Sequence, residues 1–331
     1  MGSALALACA ITIFPAFGAH AASGALHGPG LLLSGAGGLG TPPAAFAWVR
    51  RRIAGGARRP FGNLVVLRAS GSNVYDKPLL REGDFNSVQT VLIPPCAPRA
   101  QVNRVANVVD GADAVFFAGG DQSNYAVWKG SALMAAVKRV YARGGVVGGG
   151  SAGLAIQGAV VYDSVAADRF NEDTHTADAV ATPLEARISF TTGLFAWPAL
   201  RDTITDTHFV ARDRFGRTVV FLARILNENL LPGASSVYAL GVDQGSSVAV
   251  DPDGSATLFN GDGGRGAYLV RAGTRPRLAA GQPLRYTVEV SHVSHNGERF
   301  NLLAKTTSAP WTSVSVDGSR VPPYSRDPYH R

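Results

Sequence analysis

Ser151 stands in Gly149-Gly150-Ser151-Ala152-Gly153, a G-x-S-x-G run between an apolar stretch, "GGVV", and a helix-forming one. A serine in that setting suits nucleophilic catalysis. The sharp strand-to-helix turn strains its backbone, and small residues two places to either side keep clear of strand and helix. The hydroxyl then projects from the carboxyl end of the sheet. The amide of Ala152 comes from the helix N-terminus and can stabilise an oxyanion. The same run also reads as a glycine-rich packing turn with Ser151 as a helix N-cap. A hydroxyl needs a base, and the chain has 7 histidines. His20 falls in an apolar leader-like stretch, His27 just behind it and His330 in the tail. His175 lies in a segment without clear periodicity. His292 and His295 share "SHVSH" with no clear carboxylate or Cys partner, so no metal site is expected there. His208 remains, as a base or as a buried, satisfied histidine. It sits in "ITDTHFVARDRFGR" with Asp206, Arg212, Asp213, Arg214 and Arg217. Arginines so grouped suit a carboxylate ligand, which guanidinium forks pair bidentately.

Two further glycine runs bear on this chemistry. In "FFAGGDQSNY" a strand ends in Gly119-Gly120, where glycines let backbone N–H groups approach a substrate and offer a second oxyanion donor. Asp121 then suits a substrate ammonium and Gln122 a polar group, unless Asp121 simply caps the helix that follows. "GAGGLG", Gly35 to Gly40, matches the dinucleotide fingerprint G-x-G-x-x-G. That fingerprint wants an acid at the end of the second strand, and here the strand ends "LRASGS", with Arg68 and Ser70. An NADP-dependent enzyme is the reading this run supports. A tight first strand–helix turn is the alternative we prefer, because Thr41-Pro42-Pro43 intrudes where a pyrophosphate would sit.

The elements that must position these residues alternate. Strands are predicted over 31–34, 63–70, 88–94, 112–120 and 144–150, and helices over 43–54, 100–109 and 123–143. Apolar strands alternating with helices predict an α/β fold, a doubly wound, mostly parallel sheet covered on both faces. Periodicity loosens over 161–200. Residues 202–226 read as a strand and loop feeding an amphipathic helix. Hairpin signals follow at "DPDG" (251–254) and "GDGG" (261–264), and β structure with a Pro-rich, unordered end is expected from 285.

Of the 331 residues, 46% are hydrophobic and 17% charged, which is globular composition. The net charge is +7, but Lys and Arg are scattered. Their densest group, Arg50–Arg52 with Arg58 and Arg59, reads as a solvated helix face, so no nucleic-acid partner is expected. Residues 1–49 carry no Lys, Arg, Asp or Glu. "ALALACAITIFPAFG" leading to Ala19-His20-Ala21 resembles a secretory signal without its basic start. We therefore expect residues 1–21 to be removed, the product to be periplasmic or secreted, and no stable membrane insertion. Removal would leave Cys96 alone, with no intrachain disulfide.

"FFAGGDQ", "GGVVGGGSAG", "DTHFVARDRFGR" and "ALGVDQG", in that order and spacing, resemble the cyanophycinase and aspartyl-dipeptidase family of serine peptidases over about residues 30–260. The resemblance implies a class I glutamine amidotransferase-like (flavodoxin-like) sheet over 28–284, with 285–331 as a β-rich extension and tail. It implies a serine exopeptidase acting at aspartyl or β-aspartyl peptide bonds. The substrate would be an aspartyl peptide or a cyanophycin-like polymer, with no cofactor and no metal. The family's nucleophile maps onto Ser151, its base onto His208 and its oxyanion donors onto Gly120 and Ala152. Its substrate-pocket positions map onto Gln122, Asp206, Arg212, Arg214 and Arg217. The chain departs from the family at Thr207, where Gln is usual, and at Asp213, where Gly is usual. It also departs at Gln244, where a Glu orients the histidine. An amide in that acid position makes a weakened or inactive member that binds aspartyl peptides the rival expectation. A homodimer is compatible with the sequence.

Overall fold

The computed structural model describes residues 9–18, 28–54, 62–83, 85–168 and 173–329. His20, His27, His330, Arg58, Arg59 and the expected cleavage point at Ala19–Ala21 lie outside them.

The first sheet begins with β1 (Thr12–Ile13), β2 (Phe17–Gly18), β3 (Gly30–Ser34), β4 (Asn63–Arg68), β5 (Ser87–Leu92), β6 (Ala114–Phe117) and β7 (Val146–Gly150). Strands β5, β4, β6, β7 and β3 lie side by side in that order and run parallel. Each crossover carries helices: α1 (Pro43–Ala54), α2 (Asp76–Gly83), α3 (Arg99–Asp110), then α4 (Ser123–Ala126) with α5 (Ala132–Ala142). Alternation along the strands decides which face each side chain joins. Leu31, Leu33, Val65, Leu67, Val115 and Phe117 pack on one face with Val102, Val105 and Val109 of α3 and Val137 and Val140 of α5. Leu32, Leu64, Val66 and Phe116 pack on the other with Phe46, Val49 and Ile53 of α1. Both faces are thus covered, as the unbroken apolar strands require, and each such side chain contributes about 1.5–3 kcal/mol on burial. The helix expected over 123–143 is interrupted. Gly130 turns left-handed (φ 73°), and Ser131 starts a new helix by accepting the Met134 amide at 3.3 Å. Helix α2 had no counterpart among the predicted elements.

After β7 the chain departs from a single sheet. A one-turn helix, α6 (Ala152–Ala155), leads to β8 (Val160–Tyr162), α7 (Val165–Asp168), α8 (Thr176–Ala181), β9 (Phe190–Thr192), β10 (Thr203–Thr207), α9 (Phe215–Asn227) and β11 (Val237–Val242). Here β10 pairs parallel to both β8 and β11, founding a second, seven-stranded sheet. Strands β12 (Ser246–Val250) and β13 (Ser255–Asn260) return to the first sheet, antiparallel beside β3. The "DPDG" turn joins them as a hairpin. "GDGG" does not make one, because β14 (Ala267–Ala272) crosses to the second sheet beside β11. Residues 285–331, expected as an appended extension, supply β15 (Arg285–Val293) and β18 (Trp311–Asp317) of the second sheet. They also supply β16 (Arg299–Asn301) and β17 (Thr306–Thr307) of the first. Tyr286, Val288, Val290 and Val316 share one core with Phe221 of α9, so this part is integral.

The expectation about the cysteines is overturned: Cys9 is bonded to Cys96. Strands β1 and β2 lie antiparallel along β5 and cover that sheet edge, and this brings Cys9 to the loop after β5. Among the described residues no helix is long and apolar enough to cross a membrane.

The two sheets meet at Gly35, directly after β3. Its amide donates to the Ser246 carbonyl and its carbonyl accepts the His208 amide, both at 3.0 Å. A methyl group there would fall on the Asp243 carbonyl. Gly35→Ala should therefore lower unfolding free energy by on the order of 3 kcal/mol, the upper range for overpacking. Urea denaturation measures it, and a shift under about 0.5 kcal/mol would mean that the seam yields freely.

Candidate active site

Strand β7 delivers Ser151 in a left-handed conformation (φ 54°, ψ −119°) that side chains rarely adopt. Such a conformation costs on the order of 1–3 kcal/mol unless its surroundings fix it. Here the Ser151 amide donates to the Ser34 carbonyl at 3.1 Å. A methyl on Gly153 would strike the Phe117 carbonyl, and one on Gly149 would strike Gly153. The glycines flanking the serine thus let helix α6 lie directly on β6 and β7. Carbonyls of that short helix accept side-chain donors. Gln157 Nε2 donates to the Gly153 carbonyl at 2.8 Å, and Thr205 Oγ1 of β10 donates to the Leu154 carbonyl at 2.8 Å.

Strand β10 delivers His208, also left-handed (φ 45°). Its Nε2 lies 2.8 Å from Ser151 Oγ, and its Nδ1 lies 3.2 Å from Gln244 Oε1. With an amide oxygen as partner, Nδ1 carries the proton and the Nε2 lone pair faces the serine O–H. Asp243, the carboxylate next to Gln244, does not bond the ring. Its Oδ1 accepts the Val210 and Ala211 amides at 2.9 and 3.0 Å and so holds the turn behind His208. Burial pushes the imidazole down to about 4. The Arg212 charge adds to this, and the hydrogen bond that Nδ1 donates to Gln244 opposes it. The ring is therefore neutral, and able to accept a proton, across the neutral pH range.

Ser151 opens on a cavity of about 280 Å³ lined by Gly120, Asp121, Gln122, Ala152, Thr207, Arg212 and Arg214 among others. Gly120 (φ 145°) has open space where a side chain would be, and a methyl on Gly119 would lie 3.3 Å from Ser151 Cβ. The backbone at Gly120 and Ala152 thus borders the serine from two sides. Asp121 Oδ1 accepts the Ser123 amide at 2.9 Å, so it caps the turn while lining the cavity.

The arginines divide. Arg212 is exposed, and its side chain makes no ion pair or hydrogen bond among the described residues. Arg214 reaches Asp173 at 2.9 Å, Thr207 Oγ1 at 2.8 Å and Asp206 at 3.4 Å. Arg217 grips Asp206 with Nη2 at 2.6 Å and Nε at 2.9 Å, and reaches Asp173 at 3.1 Å. Arg217 and Asp206 are each 2% exposed and lie behind the cavity wall, not in its lining. Burial alone would raise the Asp206 carboxyl, but the Arg217 and Arg214 charges outweigh it and hold it below the usual range. Asp206 and Arg217 thus brace the wall that Arg214 faces, a placement that differs from the substrate contact expected of them. Three cavity residues escaped sequence reasoning, Ser164, Ala167 and Asp173. Ser164 is left-handed (φ 56°) and follows Asp163, which accepts from Ser189 and Thr191. Their signal was the irregular polar stretch itself, since long loops in compact domains tend to be functional.

The other histidines stand apart. His292 stacks on Tyr268 and bonds the Arg265 carbonyl, and His295 lies by Glu298. His175 precedes α8. No group of three or more His, Cys, Asp or Glu side chains among the described residues is arranged to hold a metal ion. The 35–40 glycine loop packs behind the elbow, where a methyl on Gly150 would strike the Ala36 carbonyl, and it contributes nothing to the cavity lining.

No family model matches this chain, and no curated protein matches it by sequence. Solved structures do. A peptidase from an acI-B1 actinobacterium is similar with a TM-score of 0.51 at 14% identity, over 84% of this chain and 98% of that one. A protein named as a peptidase E candidate from Listeria monocytogenes EGD-e has a TM-score of 0.42 at 11% identity, over 71% of this chain and 99% of that one. The chain therefore has a mixed-sheet α/β architecture similar to that of a solved peptidase structure.

The division among the arginines is testable by stability alone. Arg214→Met leaves the Arg217 guanidinium alone to balance the Asp206 and Asp173 carboxylates and should cost about 3–5 kcal/mol. Arg212→Met should stay within about 0.5 kcal/mol of the parent. Equal losses for the two variants in chemical denaturation would refute the division.

Proposed function

We propose that this chain is a serine exopeptidase that hydrolyses aspartyl, including β-aspartyl, peptide bonds, as its cyanophycinase-like motifs imply. The observation that carries the reading is the Ser151 Oγ to His208 Nε2 contact at 2.8 Å, backed by Gln244 and opening on a cavity with an unpartnered Arg212. Ser151 Oγ attacks the carbonyl carbon as its proton passes to Nε2. The oxyanion that forms accepts hydrogen bonds from the Gly120 and Ala152 amides. The imidazolium returns its proton to the leaving amine, and the C–N bond breaks. Water, deprotonated by the same nitrogen, then releases the acyl group. Arg212 supplies a guanidinium for a substrate carboxylate, and Asp121 and Asp173 supply negative charge for a cationic end.

A second reading, a weakened or inactive member that binds aspartyl peptides, is favoured by one feature. Gln244 brings no negative charge to the imidazolium that must form, and His208 is already hard to protonate. We infer an oxidising compartment from the Cys9–Cys96 bond, with the stretch that bears Cys9 kept on the chain in place of removal of residues 1–21.

Cyanophycin, β-Asp-Arg and α- and β-aspartyl dipeptides should be offered to the protein and the products identified by mass spectrometry. We expect cleavage of at least one, abolished in a folded Ser151→Ala variant. Retained cleavage in that variant would remove Ser151 as nucleophile. The pH profile discriminates further. The base must be neutral, so kcat/KM should rise through about pH 4 and be level above it, not rise near the ordinary histidine value of 6.5. Gln244→Glu adds a negative charge beside Nδ1, which raises the imidazole pKa and moves that limb toward neutrality. It should also raise kcat, by at most about 10⁴-fold, the cost of the reverse change in a serine-protease triad. An unmoved limb and unchanged kcat would show that Gln244 does not govern the base.

A further inference from the structure

The loop that carries His208 and Arg212 ends at Asp213, whose backbone is left-handed (φ 47°) although it is not glycine. Its Oδ1 accepts two phenol hydroxyls, from Tyr329 at 2.7 Å and from Tyr324 at 3.0 Å, which lie 116 and 111 residues further on. The same hydroxyls accept the first amides of α9. Phe215 N–H donates to Tyr329 Oη at 2.9 Å, and Gly216 N–H donates to Tyr324 Oη at 3.2 Å. Those amides have no acceptor inside their helix. The Tyr329 ring packs 6.0 Å from Phe209, the neighbour of His208, and 6.2 Å from Phe215. Tyr324 packs 5.7 Å from Phe215. The segment bearing both tyrosines is itself tied to β18 by the Ser325 amide to the Ser315 carbonyl at 2.9 Å. Burial, reinforced by the Asp213 charge, raises both phenols, so they stay protonated and donate.

We propose that Asp213, Tyr324 and Tyr329 form a clamp by which the C-terminal segment positions the His208 loop against Ser151. The clamp touches no reacting atom. It fixes the far end of a loop whose near end is fixed at Gly35 and whose middle is held by Asp243. The proposal rests on the serine-peptidase reading only for its functional readout, so its test has two arms. The first is amide hydrogen exchange across 208–214, where the Arg212, Asp213 and Arg214 amides are protected by the His208, Val210 and Phe209 carbonyls. The second is the rate of Ser151 labelling by a fluorophosphonate. In Tyr324→Phe/Tyr329→Phe we expect loop exchange to rise about tenfold and labelling to fall about tenfold, the scale on which small misplacements act. Asp213→Gly should do the same, although glycine eases the left-handed backbone. Asp213→Asn keeps an acceptor oxygen and tolerates that backbone, so it should recover most of both. Tyr286→Phe, a buried hydroxyl elsewhere, serves as control and should change neither. If the double variant does not fold, Tyr324→Phe alone is read in the same way.

Unchanged loop exchange in a folded double variant overturns the clamp. So does exchange raised only over 215–218 with normal labelling, since the tyrosines would then merely cap α9. An Asp213→Asn variant as impaired as Asp213→Gly overturns it as well. If the parent protein takes no label, the serine chemistry fails and the exchange arm alone decides the clamp.

Discussion

The distance between Ser151 and His208 depends on a backbone contact neither residue makes with the other. The serine ends a strand of one sheet and the histidine ends a strand of the second. What joins the two ends is Gly35, which donates to Ser246 and accepts from His208 while passing so close to Asp243 that no side chain fits. Next to it, Ser34 accepts the Ser151 amide. One short turn therefore sets both left-handed residues. Such residues persist only where their surroundings over-determine them, and here the constraint comes from hydrogen bonds and close backbone packing.

Charge is arranged around this seam by depth. The deepest charges, Asp206 and Arg217, are paired with each other, as a desolvated ion must be. Arg214 continues that pairing to the cavity wall, where Asp173 is partly exposed. Only Arg212, on the open side, is without a partner among the described residues. A wall braced in this way presents polar groups with little rotamer freedom, which reduces what a ligand must order on binding. It also surrounds His208 with net positive charge. Burial and the Arg212 and Arg214 charges make an imidazole that gives up a proton readily and takes one reluctantly, and the hydrogen bond to the neutral Gln244 offsets this only in part.

The chain's ends contribute more than their composition suggests. Residues 9–18 cover the β5 edge under a disulfide, and the Pro-rich residues 322–329 pack aromatic rings on the loop after His208. Each covers backbone that would otherwise face solvent at a sheet edge or a helix start.

How much of this was legible in the sequence follows from the range of each interaction. The parallel strands, the helices on both faces and the elbow at Ser151 are written in local periodicity and in glycine spacing, which act over a few residues. The choice of His208 as the partner of Ser151 was also accessible, because one histidine sat among residues of suitable chemistry. Gln244 could be located only through the resemblance of "ALGVDQG" to a known motif. That its oxygen faces Nδ1 while Asp243 turns to the backbone amides could not, since adjacent residues on a turn differ only in direction. Sequence grouped Arg212, Arg214 and Arg217 together, and the tertiary structure separated them. Helix α9 begins at Phe215, turning Arg217 into the core toward Asp206 and leaving Arg212 in the open loop. The second sheet, the Cys9–Cys96 pair and the two tyrosines on Asp213 join residues far apart in the chain. No local pattern encodes such contacts, because each depends on the chain having already brought its partners together.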